Sequence, residues 1–321
     1  MSATEFLYDW AVAVFGVNEA ETIARCINSI DDVSVGRRVH ITVLLNGTTD
    51  NSVNIIRDLR SKNVDVRVYT YPRPDKANAI NQFIYNLRPK AKIYFFIDAY
   101  AKVGSTAMEN VAAGFILHPA AHIATGVPAN GRSAGSTAAA TSKGGVVNGN
   151  LYAITPEFLN LLVSHGFKLP LAIYRSDPLL GSMACHDLDA VANAWDSRRI
   201  CGIGDATFEI SPLSIFRWRD IMRQFNREIR QARGRFENEA IKLIIYKTGY
   251  ANLPAHADDM IIDFMTTNKL PPRSLRERFF MRLAVNRLRH TRKATATDLM
   301  PTLVHMSNKK LSTGMTTSDG N

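Results

Sequence analysis

Asp98 closes the apolar run Ile93-Tyr94-Phe95-Phe96-Ile97, and of all residues in this 321-residue chain it is the one best placed to do chemistry. A continuous β-branched and aromatic run reads as a strand buried on both faces of a parallel α/β sheet. Open sheets of that kind bind ligands beyond the carboxyl ends of their strands. Shorter apolar runs deliver further polar groups in the same way: Asn18-Glu19, then Asn46-Gly47-Thr48-Thr49-Asp50, then Asp75-Lys76. The expectation is one rim carrying carboxylates, amides and an ammonium.

The elements that must position these groups alternate in type. Residues 10–17, 39–45, 64–69 and 93–98 read as strands, and residues 52–60 and 76–87 as helices. Another helix runs from the Asn18 region through Ile30, with Asn18 as its cap and Glu19 and Glu21 in its first turn. Strands alternating with helices of this length imply right-handed crossovers and a mostly parallel sheet flanked by helices. Residues 126–145, rich in Gly, Ala, Ser and Thr with Arg132 and Lys143 as their only charges, read as a loop over a site. Beyond it come a strand at 146–154, a short helix from Pro156, a long helical stretch at 213–247 and a basic helix at 275–289 with Leu275, Phe279 and Leu283 on one face. The expected organisation is a main domain at 1–238, a helical extension packed on it at 239–305, and a disordered tail at 306–321.

The formal charge of +10 is uneven: residues 1–160 carry 15 Lys and Arg against 13 Asp and Glu, the remainder 24 against 16. The second half should therefore meet an anion such as a diphosphate or an acidic membrane surface. Nucleic acid is disfavoured, because no recognised motif or aromatic–basic interleaving accompanies the charge. No apolar run approaches the roughly 18–20 residues that span a bilayer, and the first ten residues lack the pattern of a signal peptide. Cys26, Cys185 and Cys201 are scattered without metal-ligand spacing. A reduced, soluble, cytoplasmic protein is expected, its basic helix either packed on the sheet with the basic face in water or in peripheral contact with the inner membrane face.

In order, these segments resemble the inverting family 2 glycosyltransferases of GT-A fold, as found in the catalytic domains of polysaccharide synthases. Ala13-Val14-Phe15-Gly16-Val17-Asn18-Glu19 is similar to that family's opening strand, and Leu45-Asn46-Gly47-Thr48-Thr49-Asp50 to its uracil-binding turn. Asp75-Lys76-Ala77-Asn78-Ala79-Ile80-Asn81 resembles its Gly-Lys-Ala segment, and Asp98-Ala99-Tyr100 stands where it carries Asp-x-Asp. Cys185-His186-Asp187-Leu188-Asp189 looks like its Glu-Asp position, and Gln224-Phe225-Asn226-Arg227-Glu228 like Gln-x-x-Arg-Trp with Glu228 in place of Trp.

The resemblance implies transfer of one hexosyl or N-acetylhexosaminyl unit from a UDP-sugar to a hydroxyl on a glycan, glycolipid or small acceptor. Asp187 would be the general base. Asn18, Glu19, Asn46, Asp50, Lys76, Asp98, Gln224 and Arg227 would bind the donor. Mn²⁺ or Mg²⁺ is implied, with Asp98 as ligand and His186 as a candidate partner, although Tyr100 replaces the second Asp and a phenol is a poor ligand for a hard cation. Two other classes fit fewer residues: a sugar nucleotidyltransferase, which needs a Gly-rich loop after the first strand, and a degenerate nucleotide-sugar-binding protein.

Overall fold

The computed structural model describes residues 6–131, 134–212 and 216–307. The four apolar runs are strands: β1 (Tyr8–Gly16), β2 (Val39–Asn46), β3 (Val64–Tyr71) and β4 (Ala91–Asp98). They pair in parallel, with β1 between β2 and β4. β2 is buried along its whole length, which explains its unbroken apolar pattern. The chain leaves β1 in one direction to reach β2 and returns on the other side as β4. The crevice between β1 and β4 is therefore a topological switch point, where such sheets take ligands. Phe15 lies beside Asp98 in this register, so the residues after Gly16 and the Asp98 carboxylate share that crevice.

Five further strands complete the sheet: β5 (Ala101–Val103), β6 (Ile123–Pro128), β7 (Leu151–Ile154), β8 (Ile200–Ile210) and β9 (Thr302–Met306). The order among described residues is β5-β8-β6-β7-β4-β1-β2-β3-β9. β7 runs antiparallel to both β4 and β6, pairing Tyr152 with Phe96 and with Thr125, and Ile154 with Tyr94 and with Ile123. The start of β6 thus sits level with the middle of β4, well away from its Asp98 end. β6 and β8 are parallel, pairing Ile123 with Ile200.

Helices cover both faces. α1 (Ile23–Asp32), α2 (Ser52–Asp58), α3 (Lys76–Gln82) and α4 (Ala107–Leu117) belong to the first half. α5 (Ala134–Thr141), α6 (Pro156–Ser164) and α7 (Ser176–Cys185) follow. α8 (Trp218–Thr248), α9 (Ala257–Thr267), α10 (Leu275–His290) and α11 (Ala296–Leu299) come after β8. Ile23, Cys26, Ile27 and Ile30 of α1 join one core with Val12 and Val14, and α3, α6, α7 and α8 join the other with Ala13, Phe96 and Tyr152. No helix among the described residues is long and apolar enough to cross a membrane.

Several expectations change. Residues 134–141 are helical, because Ala dominates them and Ala has the highest helix propensity; Arg132 lies outside the described residues. The strand expected over 146–154 is confined to Leu151–Ile154. Residue 238 falls inside α8, so one continuous helix crosses the expected domain boundary. The C-terminal region is not wholly helical, since β9 pairs antiparallel with β3. Of the expected tail, residues 308–321 lie outside the described residues. α10 buries Met281, Ala284 and Leu288 and leaves Leu275 and Phe279 exposed, a different face from the one its apolar spacing suggested.

Candidate active site

Lys76 is the centre of the rim. Asp75 caps α3, its carboxylate accepting from the Asn78 and Ala172 backbone N–H groups, so Lys76 begins the helix beside the end of β4. The Lys76 Nζ lies 2.8 Å from Asp98 Oδ1 and 3.0 Å from Asp177 Oδ2. The remaining oxygens each accept from a phenol: Tyr100 donates to Asp98 Oδ2 at 2.8 Å and Tyr152 to Asp177 Oδ1 at 2.9 Å. Burial opposes the Lys76 charge, but Asp177 and Asp98 outweigh it and raise the ammonium's pKa. Burial raises the Asp98 pKa, and Asp177 adds to this against the opposing pull of Lys76. Burial also keeps both phenols protonated, each pushed well above its ordinary value, so they are donors.

Asp177 is the residue the sequence reading missed. It stands in the first turn of α7, in Ser176-Asp177-Pro178, where Pro is tolerated and a carboxylate is favoured by the helix dipole. An acid beside a first-turn Pro was the available signal. Gly149 leaves room for it: a Cβ there would come within 2.4 Å of Asp177 Oδ2.

The loops after β1 and β2 are tied together. Asn18, at φ +54°, accepts at Oδ1 from the N–H groups of Thr49 (2.8 Å) and Asp50 (3.2 Å). Asp50 accepts from Ala20 N–H at 2.9 Å and from the Ser52 hydroxyl and N–H, so its carboxylate braces these loops. Asn46 is buried and donates to the Leu44 carbonyl. Glu19 is buried, accepts from the Thr22 hydroxyl at 2.8 Å, and pairs with Arg223 of α8 at 2.9 Å. Arg25 reaches the Tyr100 carbonyl. Asn18, Glu19, Asn46, Asp50, Lys76 and Asp98 thus share the carboxyl edge of β1, β2 and β4.

Asp187 and His186 do not join them. α7 is ten residues long, about 15 Å at 1.5 Å per residue, and these two follow its far end. Asp187 accepts from Arg199 at 3.2 Å and lies 3.2 Å from His122 Nε2, which places it at the starts of β6 and β8. Asp187 and Leu188 take left-handed backbone conformations (φ +50° and +67°), the turn that ends the helix. Burial lowers the His122 pKa, and its bond to Asp187 works against that shift. His186 is buried, with Nδ1 at 2.8 Å from the Asn193 carbonyl and its ring edge-on to Trp195 and Tyr246. It is a core residue, not a partner of Asp98. Gln224 and Arg227 are exposed on α8, where Gln224 donates to Glu228; the neighbouring Arg223 is the α8 residue bonded to Glu19.

Among the described residues no group of three or more His, Cys, Asp or Glu side chains is arranged to hold a metal. Asp98 and Asp177 nevertheless share a cation in Lys76, and two carboxylates with diphosphate oxygens make a hard-cation donor set. Asp98 can offer its carboxylate to a divalent ion in exchange for the Lys76 ammonium.

Residues 12–145 match the family model of glycosyl transferase family 2, a span that holds Asn18, Glu19, Asn46, Asp50, Lys76, Asp98 and Tyr100 but not Tyr152, Asp177 or Arg223. No curated protein sequence matches the chain. Among solved structures, a Pyrobaculum calidifontis mannosyltransferase in complex with GDP-Man and Mn²⁺ aligns at TM-score 0.56 and 17% identity, over 89% of this chain and 81% of that one. This chain has the GT-A fold. S. aureus TarS 1-349 aligns at TM-score 0.51 and 14% identity, over 87% of this chain and 80% of that one. The same TarS fragment in complex with UDP-GlcNAc aligns at TM-score 0.50. The family match stops before α7, so the second carboxylate of this rim is found by geometry alone.

Proposed function

We propose that this protein is a glycosyltransferase that moves one hexosyl or N-acetylhexosaminyl unit from a UDP-sugar to an acceptor hydroxyl, inverting the anomeric carbon, with Asp177 as general base. The observation carrying this reading is one ammonium, Lys76, held between Asp98 and Asp177 at the switch point. The donor's leaving group is a diphosphate, which needs cations. Lys76, Arg25 and Arg223 supply them from three elements. As the diphosphate draws the Lys76 ammonium, Asp177 is released from its ion pair and takes the acceptor's proton. The acceptor oxygen bonds to the anomeric carbon while the bond to diphosphate breaks, and that electron pair leaves with UDP. The turn at 46–50 and Asn18-Glu19 serve the nucleoside and ribose side, and Gln224 and Arg227 are candidate contacts to diphosphate or acceptor. Mn²⁺ or Mg²⁺ would be held by Asp98, leaving Asp177 free, and would neutralise charge on the leaving diphosphate. A cytoplasmic setting is supported by three free, buried thiols.

Release of UDP or GDP from a panel of nucleotide sugars, with and without Mn²⁺, tests the reading. Asp177→Asn should lower kcat by about 10²–10⁴, the usual weight of general base catalysis, with UDP affinity retained. Asp187→Asn should leave kcat near wild type. Turnover lost in Asp187→Asn and kept in Asp177→Asn would reverse the assignment. Saturable UDP binding without turnover would point to a degenerate binder, and pyrophosphate-dependent chemistry to a nucleotidyltransferase.

A further inference from the structure

A cavity of about 420 Å³ lies between α8 and α10, and its wall includes Arg175, Arg235, Arg273 and Arg276 against Glu228 and Glu277. The two glutamates are spoken for: Glu277 pairs with Arg235, and Glu228 lies 3.4 Å from Arg276. Among the described residues no carboxylate forms an ion pair with the guanidinium of Arg175 or Arg273. The Arg175 Nε is buried and unpartnered, an expensive state for a charged group. The fold makes room for it, because a Cβ on Gly234 of α8 would come within 2.8 Å of that nitrogen. Arg175 also packs against the Tyr174 ring, 5.6 Å from its centroid, which limits the guanidinium's freedom.

Arg175 is the residue before α7, and Asp177 is two residues on. One wall residue of the cavity thus stands two residues from the carboxylate that would activate the acceptor. α8 links the two halves of the site: Arg223 in its second turn holds Glu19 on the donor side, and Glu228, Gln231 and Arg235 further along line the cavity. Two guanidinium groups outside any direct ion pair among the described residues, although Glu277 accepts from the Arg273 backbone N–H, offer forked donors that match an oxyanion bound in a bidentate manner.

We propose that this cavity binds a phosphate group of the acceptor, so that the sugar is transferred to a hydroxyl on a phosphate-bearing molecule. The proposal rests on Asp177 as the base and adds the acceptor's chemical class. A phosphate there is anchored by Arg175 and Arg273 while a hydroxyl of the same molecule reaches Asp177. The phosphate can come from a small soluble phosphomonoester or from a lipid headgroup, and the exposed Leu275 and Phe279 of α10 lie along the lipid route.

Inorganic phosphate binding, measured by calorimetry on the full chain saturated with UDP, is the direct test. Binding should weaken at least tenfold in Arg273→Glu, whose exposed side chain can be reversed without disturbing the core, and in Arg175→Gln. Transfer is then compared between glycerol 1-phosphate and glycerol, and between vesicles of phosphatidylglycerol and phosphatidylcholine. The phosphate-bearing member of a pair should be preferred, and Arg273→Glu should raise the acceptor KM far more than the donor KM. The pair that shows the preference identifies the source. Equal phosphate affinity in wild type and both variants, or equal use of charged and neutral acceptors, overturns the proposal. Phosphate binding that depends on Arg175 and Arg273 in a protein that never turns over a nucleotide sugar would instead count against the transferase reading.

Discussion

α7 carries an aspartate at each end, and the two ends of that one helix have opposite characters. At its start, Asp177 shares a buried ammonium with Asp98 and accepts from a phenol, in the crevice where the sheet changes direction. Past its end, Asp187 closes a left-handed turn and clamps His122 to Arg199 where β6 and β8 begin. The first arrangement concentrates like charges around a single cation, which is stable only while the cation stays and is poised to change when an anionic ligand arrives. The second pairs one carboxylate with two basic side chains and gains nothing from a ligand. Chemical type and a neighbouring helix do not separate these two acids. Their position along the strands does.

The largest expected contrast is the pair Asp177→Asn and Asp187→Asn, separated by about 10²–10⁴ in kcat, or roughly 3–5 kcal/mol of barrier. Next comes the far edge of the sheet, where His40 near the start of β2 is buried with an unpartnered Nδ1 and its pKa is lowered to about 4 by burial and then by Arg67. The unfolded chain protonates near 6.5 and the folded one near 4, so stability should fall as pH drops through that window, by about 3 kcal/mol in all. Urea titrations across pH 7 to 4 should show that slope in wild type and lose it in His40→Leu; an unchanged slope would remove His40 as its source.

Lys76→Met probes the other edge with a similar size and an opposite pH dependence. It leaves Asp98 and Asp177 facing each other without their cation, which should cost about 3 kcal/mol at pH 7. Because the Asp98 pKa is already raised, acid protonates that carboxyl first and relieves the repulsion. The deficit should therefore shrink between pH 7 and 5, and Mn²⁺ should bind this variant more tightly than wild type by EPR titration. A deficit that grows in acid would contradict the shared-cation picture. The smallest effect belongs to Tyr152→Phe, which removes one donor from Asp177 and should change kcat about tenfold, or 1.4 kcal/mol, with UDP affinity intact.

The sequence alone carried the first half of the molecule far. The apolar runs at β1, β2, β3 and β4 and the rim residues from Asn18 to Asp98 are local features, each legible within a window of about ten residues, although Asn18 does not cap α1, which starts at Ile23 after Thr22. β6, β8 and β9 were not anticipated, and β9 pairs with a strand more than two hundred residues earlier in the chain. Asp177 was equally out of reach, since it and Asp187 are both acids at the ends of a helical segment and a motif-like neighbourhood favoured Asp187. The tertiary structure brings Asp177 to Asp98 and Asp187 to the starts of β6 and β8. That placement arises from hydrogen bonding and packing between segments distant in sequence, which no local pattern of residues encodes.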